Sequence, residues 1–158
     1  MARPDQTTKI LVLNAGSSSI KFAVFSENLN EDISGIAENI GSKSRLTVAD
    51  TVTITPFIDH RSALNAVLSS LSERGYSTDV YRAIAHRVVH GGRKLTTPVR
   101  ITEEVRAEIS GCTPLAPLHN PHNLAAIDAL SEISPNVAQY ASFDTSFHAT
   151  NPKVATRY

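Results

Sequence analysis

Apolar residues follow two different rhythms along this chain. Lys9 to Ala15 holds the unbroken run Ile10-Leu11-Val12-Leu13, which Gly16-Ser17-Ser18-Ser19 interrupts. Ile20, Phe22 and Val24 then alternate with other residues up to Phe25. Two such runs around a short Gly/Ser segment predict a β-hairpin. Glu31 to Ile40, with Ile33, Ile36 and Ile40, reads as a third strand. Leu46 to Ile58 is β-branched and Thr-rich, and Pro56 confines its end to an edge or a turn. Beyond it the period changes. Leu64, Val67, Leu68 and Leu71 fall at the i, i+3, i+4, i+7 spacing of one helix face, and Gly75 sits where a C-terminal cap belongs. Tyr81 to Val89 returns to strand and ends at Gly91-Gly92. Thr102 is placed to cap a short helix presenting Val105 and Ile109, and Pro114 to Pro117 is a loop. Asn120-Pro121 reads as an N-cap followed by proline at the first helical position, opening a helix that carries Leu124, Ile127 and Leu130. Val137 to Phe143 is a last strand with Asp144 at its C-terminal end, and Asn151 to Tyr158 begins a further helical segment. The order βββ-α-β-α-α-β predicts an α/β fold, a mixed β-sheet flanked by helices. The polar motifs follow strand ends, where such sheets place ligands.

Composition narrows the partners. The chain has 158 residues, 41% of them hydrophobic and 19% charged, which suits one domain with one sizeable core. Fifteen basic residues balance fifteen acidic ones. A net charge of zero gives no general pull toward nucleic acid or an anionic membrane, so any anion site must come from a local cluster of donors. The run Ile10 to Leu13 is far too short to cross a membrane. Met1 to Thr8 is polar and lacks the zones of a signal peptide, so residues 1–8 are expected to be a disordered extension of a cytoplasmic protein. The single cysteine, Cys112, cannot form an internal disulfide, which fits a reducing compartment. Its neutral neighbours Gly111, Thr113 and Pro114 give it no activating base, so it reads as structural.

Four motifs bear chemistry. In Asn14-Ala15-Gly16-Ser17-Ser18-Ser19-Ile20-Lys21, a tight turn exposes backbone N–H groups and hydroxyls to phosphate oxygens, and Lys21 adds a positive charge. The P-loop spacing is absent, and an ordinary hairpin turn uses the same residue types. In His86-Arg87-Val88-Val89-His90-Gly91-Gly92, period two places Arg87 and Val89 on one strand face. Arginine can clamp a carboxylate or phosphate bidentately while valine contacts a small apolar group. His86 and His90 lie four apart on one strand face, as metal ligands can, but with no cysteine or third close ligand the better reading is core or hydrogen-bonded histidines. In Leu118-His119-Asn120-Pro121, His119 stands just before a helix start and can join an anion site there; its plainer reading is a loop residue. In Phe143-Asp144-Thr145-Ser146-Phe147-His148, a carboxylate at a strand end can take a proton, hold Mg²⁺ or simply cap a turn.

Together, Leu13 to Phe22, His86 to Gly92, Ala116 to Asn123 and Phe143 to His148 resemble the acetate kinase family almost word for word, within a match running from about Lys9 to Tyr158. The resemblance implies that residues 9–158 form the N-terminal RNase H-like domain of the duplicated acetate and sugar kinase, heat-shock and actin fold. It implies reversible, ATP- and Mg²⁺-dependent (or Mn²⁺-dependent) transfer of phosphate to acetate, giving acetyl phosphate and ADP, and a homodimer in the intact family. Residue by residue, Asn14 is similar to the family's Mg²⁺-associated asparagine. Gly16, Ser17, Ser19 and Lys21 are similar to its phosphate-side contacts, with Lys21 assigned to ATP. Arg87 resembles the acyl-substrate arginine, Val89 and Leu118 resemble its substrate pocket, His119 a histidine beside the transferring phosphoryl group, and Asp144 the catalytic aspartate. Arg93 departs from the acidic residue usual after the two glycines. The family continues past Tyr158 into a C-terminal domain with the adenine loops, a second arginine and a glutamate, so the chain is expected to carry the acyl-phosphate half of the site and to be inactive alone. Propionate or butyrate kinase and a non-catalytic phosphate- or partner-binding module are the alternatives.

Overall fold

The computed structural model of the protein describes residues 8–144. The terminal extension up to Thr7, the motif residues Thr145 to His148 and the expected helical segment from Asn151 lie outside them. The described strands are β1 (Lys9–Ala15), β2 (Ser19–Phe25), β3 (Glu31–Glu38), β4 (Arg45–Val48), β5 (Thr51–Ile54), β6 (Tyr81–Val88), β7 (Val99–Arg100) and β8 (Ala138–Phe143). The helices are α1 (His60–Glu73), α2 (Glu103–Gly111) and α3 (Asn120–Ile133).

All the strands join one sheet in the order β5-β4-β3-β2-β1-β6-β8-β7. β1 to β5 form an antiparallel meander that begins with the expected hairpin, Ala15 opposite Ile20. β6 pairs parallel to β1, and β8 parallel to β6, so these three strands end on the same side. The Thr-rich run from Leu46 supplies two strands, β4 and β5, so five strands precede α1 where the expected order had three. Ala49 turns the chain with φ +52, and its N–H donates to the Ser34 carbonyl at 2.8 Å. Alanine seldom adopts that conformation, so no residue type signalled the turn.

Period two divides the sheet residues cleanly. Leu11, Leu13, Ile20, Phe22, Val24 and Ile84 face the helices and are buried against Leu64, Val67, Leu71 and Leu130. Each such burial contributes roughly 1.5–3 kcal/mol. A smaller cluster joins Val88, Ala141 and Phe143 to Ile109, Leu124 and Ile127. The opposite parity, Ile10, Val12, Ala23, Phe25, Ala83 and Ala85, is half-buried on the other face. Asn14, Lys21, Arg87 and Asp144 share that parity, so they emerge on the face away from the described helices.

Local chemistry fixes the helix starts. Asp59 caps α1: its carboxylate accepts from the Ser62 N–H at 2.8 Å, and the Ser62 hydroxyl accepts from the Asp59 N–H at 3.1 Å. The bonds the carboxylate accepts from the Ser62 N–H and hydroxyl hold the Asp59 carboxyl below its usual range. Thr102 caps α2 as expected, accepting from Val105 N–H at 3.2 Å. Asn120 does not cap α3. His119 occupies the cap position without a side-chain bond, while Asn120 is a fully buried helical residue whose amide serves the loop after β6. Pro121 near the helix start is tolerated because no N–H is needed there. Cys112 is buried, and burial pushes its thiol up, as suits a structural cysteine.

Candidate active site

The parallel strands β1, β6 and β8 deliver their last residues to one end of the sheet, and a cleft of about 320 Å³ opens there. It is lined by Asn14, Ala15, Gly16, Ser19 and Lys21 from the β1–β2 hairpin, Arg87 and Val89 from the end of β6, His119 before α3, and Asp144 after β8. Four segments separated by dozens of residues therefore meet. Of the residues singled out in the sequence, Ser17 and Leu118 stay outside this lining. Ser17 is exposed on the turn, and Leu118 is 72% exposed.

Arg87 makes the bidentate carboxylate clamp that its residue type allows, and the carboxylate belongs to Asp144. Nε donates to Oδ1 at 2.8 Å and Nη2 to Oδ2 at 2.7 Å. These bonds and the adjacent negative charge raise the guanidinium above its already high value. Both side chains remain partly open to solvent, at 54% and 34%. The pair is thus accessible to an incoming anion.

The histidines of the β6 motif do not form a metal site. His86 is buried and donates from Nε2 to Gln139 Oε1 at 2.6 Å, and burial pushes its imidazole down to about 4. His90 Nδ1 accepts from Gly92 N–H at 2.9 Å. Among the described residues, no group of three or more His, Cys, Asp or Glu side chains could hold a metal.

Several side chains that the sequence reading passed over brace the cleft. Asn123 Nδ2 donates to the Ala15 carbonyl at 2.9 Å, and its Oδ1 accepts from Val89 N–H at 3.2 Å, so one amide spans the ends of β1 and β6. Asn120 Oδ1 accepts from His90 N–H at 3.2 Å, while its Nδ2 donates to the carbonyls of His90 at 3.0 Å and Ile109 at 3.2 Å. His60 Nε2 lies 2.6 Å from the Gly16 carbonyl. The glycine pair after His90 is explained by space: a methyl on Gly91 would lie 2.3 Å from the Leu95 carbonyl oxygen. Gly16 is different, because a methyl there would meet Ser19 Oγ only at 3.5 Å. The paired asparagines at i and i+3 were the available signal, obscured by the apparent capping role of the first.

Comparison with known proteins covers nearly all of the chain. The profile of the acetokinase family matches residues 9–158. An acetate kinase of Bacillus anthracis is 44% identical over 163 residues, covering 96% of this chain and 40% of that protein. The crystal structure of Porphyromonas gingivalis acetate kinase superimposes with a TM-score of 0.87 at 36% identity, over 96% of this chain and 41% of the other. A propionate kinase from Francisella tularensis subsp. tularensis superimposes with a TM-score of 0.86 at 36% identity, over 93% and 39%. The chain spans about 40% of the length of the curated relatives it matches.

Proposed function

The chain belongs to the acetokinase family, and from that premise we propose that its cleft is the acyl-phosphate half of a site for reversible phosphoryl transfer between ATP and acetate. Its fold, a mixed sheet flanked by helices, is that of the acetate and propionate kinases, consistent with an actin-like ATPase domain. One observation carries the functional reading: Asn14, Lys21, Arg87, Val89, His119 and Asp144 converge on one cleft although nothing in the primary structure forces them together.

The chemistry follows from the groups present. A carboxylate oxygen attacks the γ-phosphorus in line, the bond from that phosphorus to the β–γ bridging oxygen breaks and ADP leaves with the electron pair, and cationic groups spread over the equatorial oxygens stabilise the transition state. Arg87 takes the acyl carboxylate, exchanging Asp144 for it, and Val89 contacts the methyl group. Lys21 and the hairpin turn face the phosphate, with His119 beside the transferring group. Acetate is ionised near neutral pH, because carboxylic acids titrate near pH 4. Asp144 therefore has no proton to remove, and its work is to position Arg87 or to hold metal. Magnesium is bound through one or two carboxylates plus substrate phosphates. The Asp144 carboxylate and the Asn14 amide oxygen on one cleft fit an ion that arrives with nucleotide, and such an ion supplies charge neutralisation at the phosphoryl oxygens.

A second reading exchanges acetate for propionate. One superimposed relative is a propionate kinase, and among the described residues the apolar lining is Ala15 and Val89, neither of them bulky. Titration of the ¹⁵N-labelled chain with acetyl phosphate tests the site. Shifts are expected at Asn14, Ser19, Lys21, Arg87 and Val89 and are absent in Arg87→Ala; shifts confined to other surfaces overturn the assignment. In a coupled assay the 158-residue polypeptide alone is expected to stay below about 1% of an intact relative's turnover, since each missing preorganised donor costs on the order of 100-fold. Normal turnover refutes the division of the site into halves.

A further inference from the structure

The Gly16–Ser19 turn is gripped from behind, from the helix layer. Asp59 and Ser62 fix the start of α1, which makes His60 its first residue. His60 reaches across to the Gly16 carbonyl, with Nε2 at 2.6 Å. A carbonyl only accepts, so Nε2 carries the proton. The imidazole is held in plane by His122 of α3: the ring centroids are 4.9 Å apart with an interplanar angle of 18°. The residue after His122 is Asn123, which donates to the neighbouring carbonyl of Ala15 at 2.9 Å. Consecutive carbonyls of the turn are thus drawn toward the same two helix starts.

From this geometry we infer that His60 is a positioning residue for the anion-binding turn, acting through the peptide plane of Gly16–Ser17. In a trans peptide unit the C=O and the next N–H point in opposite directions. Anchoring the Gly16 carbonyl to α1 therefore aims the Ser17 N–H away from the helices, to the side on which Asn14, Lys21 and Arg87 emerge. The Gly16 N–H is already committed to the Ser19 carbonyl at 2.8 Å and the Ser18 carbonyl accepts from Ile40 N–H at 3.0 Å, whereas the N–H groups of Ser17 and Ser18 donate to no backbone carbonyl among the described residues. Those two N–H groups are the donors the turn offers to a phosphate. Ser17 then serves through its backbone, which explains why its side chain stands outside the cleft lining. The inference rests on the proposed reading of the cleft as an anion site, and the orientation of the turn can be tested without any ligand.

Three variants of the 158-residue chain separate the donor from the ring. His60→Phe keeps a ring for His122 and removes the N–H; His60→Gln keeps an N–H donor and removes the ring; His60→Leu removes both. ¹⁵N relaxation of the Ser17 and Ser18 amides is measured on ligand-free protein after melting curves establish that each variant is folded. The expected order parameters are about 0.85 in the wild type and in His60→Gln, and below about 0.6 in His60→Phe and His60→Leu. Phosphate affinity, read from amide shifts with inorganic phosphate, falls about fivefold in His60→Phe, the effect of one lost net hydrogen bond, and returns in His60→Gln. A turn as rigid in His60→Phe as in the wild type, or as mobile in His60→Gln as in His60→Phe, overturns the inference. Inorganic-phosphate shifts at Ser17 and Ser18 that survive undiminished in Lys21→Ala sink the anion-site reading instead and leave the relaxation result to decide the role of His60.

Discussion

Replacing Asp144 with asparagine asks what the pair with Arg87 does. The variant keeps the shape of the side chain and removes the charge that occupies the guanidinium. Because both partners are partly exposed, at 54% and 34%, the pair contributes only about 0.5–1 kcal/mol despite its bidentate 2.8 and 2.7 Å bonds. An anion entering the wild-type cleft must displace Asp144 and forgo that energy. In Asp144→Asn it meets a free guanidinium, so acetyl phosphate without metal binds about two- to fivefold more tightly, since 1.4 kcal/mol corresponds to a factor of ten. The gain shrinks at high salt, where exposed charges are screened. Arg87→Ala acts in the opposite direction: losing a charged hydrogen-bonding group costs about 1.5–3 kcal/mol, roughly 10- to 100-fold in affinity. The double variant matches Arg87→Ala if the aspartate acts through the arginine. Amide-shift titrations at two ionic strengths measure all four proteins. Affinity in Asp144→Asn that is unchanged or weaker without metal refutes the competition argument. If Asp144 holds metal, Mg²⁺ tightens binding more in the wild type than in Asp144→Asn; equal tightening leaves Asp144 a positioning residue for Arg87.

Three further outcomes follow from the geometry. His86 titrates near 4 when folded and near 6.5 when unfolded, so the unfolded chain takes up the proton first on acidification. Stability is present above pH 6.5 and falls by about 3 kcal/mol on the way to pH 4; urea midpoints measured across that range lose this slope in His86→Leu. Gly91→Ala destabilises the fold by about 2 kcal/mol or more, because its methyl collides with the Leu95 backbone, whereas Gly16→Ala changes stability by less than about 1 kcal/mol; thermal melts rank the two. Asn123→Ala leaves the Ala15 carbonyl and the Val89 N–H without their partner and costs about 2–4 kcal/mol in denaturant unfolding, with the largest shift changes at the ends of β1 and β6.

Much of the architecture was legible because period sets the faces. The alternation Ile20, Phe22, Val24 and the spacing Leu64, Val67, Leu68, Leu71 mark the residues that the structure buries. What escaped was of two kinds. Ala49 turns a hairpin in a conformation its residue type does not advertise, and Val99–Arg100 is too short a strand to leave a period. The candidate residues Asn14, Lys21, Arg87, His119 and Asp144 were legible as motifs, and the structure lines one cleft with them. Their supports were not. Asn120 looked like a cap because asparagine before proline usually is one, and its burial depends on contacts 30 residues away with His90. His60 left no local signature, since its partner Gly16 lies 44 residues back. Hydrogen bonds between distant segments leave no pattern in either one.

The strand order also sets a sequence of events in time. The antiparallel meander from β1 to β5 closes through short loops, each at small entropic cost. The cleft needs β1 beside β6 and β6 beside β8, and those parallel pairings join segments far apart in the chain. Such non-local pairs form slowly, because closure entropy is lost before contacts repay it. During refolding, the Gly16 hairpin is therefore present before it has an arginine or an aspartate to face. The guanidinium and carboxylate belong to the late pairs, so phosphate is expected to slow unfolding without speeding refolding, which stopped-flow rates measure.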